Sequence, residues 1–519
     1  MSEINTNNNK RILRNTILLY VRMLIMMAIG LYSSRVILNA LGVSDYGLYN
    51  VVGSVVTMFS FLTTTMASGT QRFLSFALGE NNSEKLKAVF SNAILLHFLL
   101  AILVFILSET IGLWYVYNKL VIDSGRFTAA LWSYQLSVVA SIFTIIQIPF
   151  NSALIAHEKM DFYAYMSIFD VTVKLIAIFT ITLVPYDKLI FYSFLILLVN
   201  ILSLFIYKWY CSRHFHECTL KPGYDKPLFR EMLSFSGWNT FGCLAVMGQT
   251  TGVNLVINAF CGTIVNAARA IAIQVNAMVM RFVDNIQVAI NPQIVKYYAD
   301  NDIANMEKLA IRGAYLSSYL FLFLAIPLFI ECEWVITLWL GNCPDYVVPF
   351  IQIVLVESLF KTMGNPTITV IHATGKMKMN QLTSGLLQLS VLPLSYFLFK
   401  LGLSTILIIA ICVLPWVLVI PVRLYWCHYY GNFPVWNFLR TIYIKIPLLA
   451  CIMYIIPKTI HYIYPHPGLT RFLLVGIVSV ITSATIIYFC GLETSIQRKL
   501  IDKLYSTIKL LKPTRKCEK

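Results

Sequence analysis

The chain has 519 residues, 58% of them hydrophobic and only 12% charged, with 40 Lys and Arg against 24 Asp and Glu and a formal net charge of +16. Soluble globular proteins carry about twice that charged fraction, and one water-soluble core could not hide so much apolar surface. The composition therefore excludes an ordinary soluble domain and points to a polytopic membrane protein, since ~20 residues at 1.5 Å each cross the hydrocarbon.

Residues 1–15, MSEINTNNNKRILRN, make a basic, Asn-rich tail that runs straight into an apolar segment. It lacks the short apolar core and small-residue cleavage site of a signal peptide, so the first helix is expected to stay as an anchor. Apolar windows bounded by polar breaks predict fourteen spans: 16–40, 46–77, 86–113, 125–156, 161–184, 188–208, 232–259, 264–297, 307–331, 346–373, 379–401, 404–427, 441–463 and 469–490. LGVSDYG (41–47) reads as a short turn between the first two. Residues 16–208 form an N-lobe of six helices, 209–231 a basic linker, and 232–430 a C-lobe of six more. Two helices follow in 431–490. In the tail 491–519, Ile496, Leu500, Leu504, Ile508 and Leu511 recur among lysines, the pattern of an amphipathic helix on an anionic leaflet.

The charge is distributed by topology. Loops on the side of the termini carry most of the Lys and Arg, while the opposite loops hold Lys119, Arg126, Lys188, Lys400, Lys458 and Arg471. By the positive-inside rule both termini are expected in the cytoplasm, with the protein in the inner (cytoplasmic) membrane. The same distribution argues against nucleic acid as a partner. The eleven cysteines show no CxxC pair or metal-ligand spacing. Cys211 and Cys218, with the linker's two histidines, read as a solvated loop, and Cys332 and Cys343 share an outer loop in which they could pair.

The two six-helix units repeat. VILNAL (36–41) matches LVINAF (255–260) at an offset of 219, and EKL recurs at 84–86 and 307–309 at an offset of 223. PFNSALIAHEKM (149–160) matches PTITVIHATGKM (366–377) at an offset of 217. Six helices separate the copies, an even number, so both halves share one orientation. Their pseudo-two-fold axis lies along the membrane normal, with the path for a substrate between the lobes.

This arrangement resembles the multidrug/oligosaccharidyl-lipid/polysaccharide exporter superfamily, and within it the polysaccharide branch of O-antigen-type flippases. The residues that carry the resemblance are SRVILNALGVSDYGLYNVVG (34–53), GTQRFLS (69–75), AARAIAIQVNAM with INPQI in the eighth helix, and ATGKMKMN (373–380). It implies an all-α, V-shaped, two-lobed fold like that of the MATE transporters. It also implies outward movement of undecaprenyl-diphosphate-linked oligosaccharide by alternating access. Membrane lipids and the polysaccharide polymerase and assembly proteins would then be partners. On this resemblance Arg35, Arg72 and Arg269 match positions where basic cavity residues are expected, with Lys174 and Arg281 matching more loosely.

The interior residues themselves support an anionic ligand. Charge at mid-bilayer costs ~2.5–3.5 kcal/mol on insertion scales, so it tends to face a cavity or a partner. The basic residues inside spans are Arg22, Arg35, Arg72, Lys174, Arg269, Arg281 and Lys361, opposed by Asp170, Asp284 and Glu357. Asp170–Lys174 and Glu357–Lys361 sit at i,i+4, and Arg281 can reach Asp284 at i,i+3. Arg35, Arg72 and Arg269 have no acid within a turn, and guanidinium suits phosphate because its planar fork donates two parallel bonds. Polar stripes run along helix two (Asn50, Thr57, Ser60, Thr64, Gln71, Arg72, Ser75), helix seven (Ser236, Thr240, Cys243, Thr250, Asn254, Asn258) and helix eight (Arg269, Asn276, Gln287, Asn291). They are expected to line one cavity and meet sugar hydroxyls, the alternative being helix-to-helix hydrogen bonds.

No nucleotide-binding GxxxxGK[ST] loop is present, nor an HExxH or GxSxG on the outer side. A secondary transporter without a cofactor is expected, coupled to H⁺ or Na⁺ through Asp170, Asp284 or Glu357. Two rival readings remain: a flippase of the peptidoglycan lipid precursor, which shares the carrier lipid, and a multidrug exporter, whose cationic substrates call for unpaired intramembrane carboxylates.

Overall fold

A computed structural model of the chain describes residues 2–57, 59–118, 122, 124–181, 187–218, 224–341, 343–466 and 468–491. Among these there is no strand. The expected amphipathic tail helix lies outside the described residues.

Among the described residues, long helical stretches build the molecule. They are α1 (Ser2–Thr57), α2 (Ser60–Gly79), α3 (Ser83–Asn118), α4 (Phe127–Ala156), α5 (Met160–Ile181), α6 (Lys188–His214) and α7 (Lys226–Gly262), then α8 (263–299), α9 (Ile303–Ile330), α10 (Val347–Thr374), α11 (Lys378–Lys400), α12 (Thr405–Gly431), α13 (Val435–Ile463) and α14 (Leu469–Phe489). Eleven helices among the described residues are long and apolar enough to cross a membrane. Helix starts are fixed by short polar side chains at the polar ends. Asn82, Asp225 and Asp302 each accept from the amide three residues on, and Asp187 accepts from the amides of Leu189 and Ile190. Large apolar side chains such as Phe98, Leu99, Trp132, Phe205 and Leu448 stay exposed on the outside, an arrangement suited to lipid and not to water.

One expectation changes. The residues LGVSDYG, expected as a turn, lie within the stretch Ser2–Thr57 assigned as helix. The chain still reverses there. Asn15 meets the α4–α5 turn at Glu158, Asp45 meets Arg126 and Asp187 at the opposite end, and Gly79 lies back against Ala299. The second lobe repeats this device: α7 and α8 run together, and the break is the single residue Gly262, at φ 80°. Its left-handed conformation is one that glycine adopts without a Cβ penalty.

The ends of the molecule are named here by what they carry. The linker face holds the turns at 79–83, 156–160, 214–226, 299–303 and 374–378; the far face holds those near Asp45, Arg126, Gly262 and Glu331. The repeat is visible in the backbone of the linker face. Asn81 (φ 53°) and Asn301 (φ 56°) take the same left-handed conformation, as do Glu158 (φ 59°) and Gly375 (φ 75°), the pair that the 217-residue offset aligns.

The core is shared at one face and divided at the other. Its largest apolar cluster joins Phe73, Phe90 and Phe150 of the first lobe to Phe235, Ile290 and Met363 of the second. Toward the far face the clusters belong to single lobes: Val52, Ala130 and Tyr134 in the first, and Val253, Ala272, Phe350 and Val391 in the second. Two lobes thus meet at the linker face and part toward the far face. Helices α13 and α14 attach to α9, where buried Glu331 accepts from Arg471 at 2.9 and 3.1 Å and contacts His461 at 2.8 Å.

Cys332 and Cys343 remain separate thiols. Burial pushes the Cys332 thiol up to about 12, with Cys343 and Glu333 adding to it, so almost no thiolate is present to start a disulfide at neutral pH. No group of three metal-binding side chains occurs among the described residues.

Candidate functional site

The closed base of the cleft is built from small and polar residues that let the lobes approach. On α2 the contact face is Thr65, Ser68, Gly69, Arg72 and Gly79. Thr65 and Thr240 share a hydroxyl hydrogen bond of 2.9 Å, and Asn239 of α7 donates to Ser68 at 2.7 Å. A Cβ on Gly79 would stand 2.7 Å from that of Ala299, so only glycine fits there without displacement. This face is turned by roughly one residue position (~100°) from the expected stripe; Ser60 and Thr64 are exposed beside it. The side chains of Asn50 and Thr57 lie outside the described residues.

Two clasps related by the repeat hold this base. In one, Glu158 at the α4–α5 turn accepts from Gln293 (2.5 Å) and Lys296 (2.6 Å) of α8. In the other, Arg72 of α2 donates through Nε and Nη2 to the carbonyls of His372 and Ala373, both at 2.9 Å, at the end of α10. Gly375, left-handed at φ 75°, closes that end, and the Arg72 fork occupies the space its side chain would need. A cation at a helix C-terminus meets the unsatisfied carbonyls and the negative end of the helix dipole. Glu231, 3.9 Å from Nη1, and the rings of Phe73 and Phe76 complete the surroundings. Arg72, expected as a ligand in an open cavity, is 6% exposed and serves as a bolt between lobes.

The stripe on helix eight also differs. The surface of α8 that meets the first lobe carries Asn285, Ala289, Gln293 and Lys296, with Tyr20 donating to the Phe282 carbonyl at 3.0 Å. Arg269, Asn276, Gln287 and Asn291 fall on the opposite side, inside the second lobe, where Thr369 of α10 donates to Asn291 at 3.0 Å. At 100° per residue, positions 269, 276, 287 and 291 lie about half a turn from 285 and 296. Periodicity revealed the stripe but could not say which neighbour it faced. Glu357 binds Lys361 at 2.5 Å, and Lys361 lies 4.2 Å from the Trp416 ring. Arg269 Nη1 and Asn276 Oδ1 are buried without a partner among the described residues.

The cleft itself retains Arg281. It is one turn nearer the far face than Asn285 on the same side of α8, and it is exposed. The expected bridge to Asp284 does not form, and Asp284 is exposed as well. On α7, Ser236 and Thr240 of the expected stripe lie in the closed base, and Cys243, Thr250, Asn254 and Asn258 fall on the same helix face farther along. Asn254 Oδ1 has no hydrogen-bond partner among the described residues. The other expected pairs are formed. Asp170 accepts from Lys174 at 2.7 Å and from Ser203 at 3.2 Å, and Arg22 lies 4.6 Å from the Tyr163 ring with a 3.4 Å bond to Ser167. The side chain of Arg35 lies outside the described residues.

Two six-helix lobes with this closed base and open far half define the fold of the MATE and MOP-superfamily transporters. A MATE in the straight conformation has a TM-score of 0.67 at 12% identity, over 83% of this chain and 97% of that one. An outward-facing multidrug resistance MATE transporter of the MOP superfamily scores 0.67 at 12% identity, over 82% and 96%. A MOP superfamily transporter from Pyrococcus furiosus, described by a reverse polarity of its binding pocket, scores 0.66 at 12%, over 82% and 96%. No curated protein matches the chain in sequence. The family model described as "Polysaccharide biosynthesis protein" matches residues 12–297, more than half of the 519. The chain belongs to that family.

Proposed function

We propose that this protein carries a lipid-linked oligosaccharide, joined to its lipid through a diphosphate, from the linker-face leaflet to the far-face leaflet, with the linker face in the cytoplasm. The observation that carries this reading is Arg281, an exposed arginine on the cleft wall without an acidic partner among the described residues, in a chain of the polysaccharide biosynthesis family. A guanidinium there offsets the desolvation of a travelling phosphate and binds it through two parallel donors. Asn254 and Thr250 above it suit sugar hydroxyls, while the lipid tail stays outside between the lobes. Arg35 on α1 is a second station, whereas Arg269 is turned into its own lobe, away from the cleft. Asp284 is the carboxylate left for H⁺ or Na⁺ coupling, because Asp170 and Glu357 are already engaged by Lys174 and Lys361.

The test is glycan export in cells that depend on this protein, with membrane abundance measured alongside. Arg281→Ala should lower export at least tenfold at unchanged abundance, and Arg281→Lys should recover only part of it, since an ammonium lacks the planar fork. Export at the wild-type rate in Arg281→Ala would overturn the reading.

A further inference from the structure

The linker face of the second lobe holds a cavity that the cleft does not use. It measures about 560 Å³ and lies between the start of α7, the α10–α11 turn and the end of α12. Arg230, Lys376 and Lys378 surround it, and none of the three forms an ion pair among the described residues. Aromatic rings hold the two lysines in place: Lys378 Nζ lies 5.4 Å from the Trp238 ring and Lys376 Nζ 5.4 Å from that of Tyr430. Such contacts steady an ammonium without neutralising it. The one acid on the wall, Glu231, faces Arg72 at 3.9 Å. The same wall contains the N-terminus of α11, which begins at Lys378 and carries no side-chain cap. Its first-turn amides add donors and the positive end of the helix dipole to the three cations.

A cavity with three unneutralised cations, an uncapped helix N-terminus and rings that pre-position the lysines is built for a phosphate group. We propose that it binds the phosphate or diphosphate of an anionic ligand at the linker face, in the first instance a prenyl-linked diphosphate. It lies at one end of the Arg72–Glu231 pair, so an anion seated here competes with Glu231 for positive charge and weakens one of the two clasps. The site deepens the transport reading by giving the substrate a place to dock before the lobes part, but its binding chemistry stands without that reading.

The experiment uses the full-length protein in nanodiscs of zwitterionic lipid, titrated with pyrophosphate and separately with farnesyl diphosphate, with binding followed calorimetrically. Both ligands should bind the wild type, and the charge-removed variant Arg230→Gln/Lys376→Gln/Lys378→Gln should lose at least tenfold in affinity for each. These residues are exposed, and an unchanged thermal midpoint will show that the variant folds. Equal affinity for the two ligands assigns the site to the phosphates alone; tighter farnesyl diphosphate binding that the variant loses assigns it to a lipid source. Affinity unchanged in the variant, or no binding of either ligand to the wild type, overturns the site whatever the export assay shows. Loss of binding in the variant upholds it even where Arg281→Ala exports normally, so the two proposals fail separately.

Discussion

Arg126 shows how one side chain organises the far face of the first lobe. Its Nε donates to Asp45 at 2.9 Å and its Nη1 to Asp187 at 2.5 Å, tying the first hairpin to the start of α6. Burial would raise the Asp187 carboxyl, but the hydrogen bonds from Arg126 and from the amides of Ile190 and Leu189 outweigh it and hold the carboxyl below its ordinary value. A carboxyl lowered in the folded state adds stability above its unfolded value, ~3.9, and loses it as pH falls through the folded value. The pair is partly open to solvent, with Asp187 29% exposed, which limits its worth to ~1 kcal/mol. Asp187→Asn should therefore lower the thermal midpoint at pH 7, and the gap to wild type should narrow as pH falls below about 4. A gap as large at pH 3 as at pH 7 would contradict this account. Arg126 was legible as a far-face residue from the charge pattern, and Asp45 from its place in the first turn. Their meeting was not, because 81 residues separate them.

The glycines of α7 divide by what faces them. Gly248 and Gly252 form a GxxxG, and Leu389 and Leu392 of α11 press against them; the motif serves close packing within the second lobe. Gly237, three turns earlier on nearly the same face, has nothing within 4 Å of where a Cβ would stand among the described residues. Alanine favours a helix over glycine by ~1 kcal/mol, whereas overpacking costs typically 1–3 kcal/mol. Gly237→Ala should raise the thermal midpoint and Gly252→Ala should lower it. The same sign for both would show that propensity alone governs this helix. The spacing of the motif is legible in the sequence, but only the position of α11 shows that it packs.

Across the whole molecule, the closed base depends on charged residues reaching from each lobe to the end of a helix in the other. Removing one partner of a buried, hydrogen-bonded charge costs ~1–3 kcal/mol or more. The thermal cycle of Glu158→Ala, Lys296→Ala and the double variant should show a coupling above ~1 kcal/mol, as expected for residues in contact. Additive effects would mean that this clasp does not hold the lobes. The internal repeat made such a symmetric arrangement foreseeable, and the backbone bears it out in Glu158 and Gly375. Which residues act as clasps was hidden, since Arg72 carries the same sequence signal as a cavity arginine.

Composition, apolar windows and the offset near 219 residues were enough for a helical membrane protein with two like-oriented lobes, because those properties depend on local hydrophobicity and on counting helices. They also picked out Arg72, Arg269 and Arg281 as costly charges inside spans. Periodicity places a side chain on its own helix and leaves the neighbour unnamed. It took the packing of α8 between α1 and α10 to turn Arg269 into its lobe, set Arg72 against a helix end and leave Arg281 in the cleft.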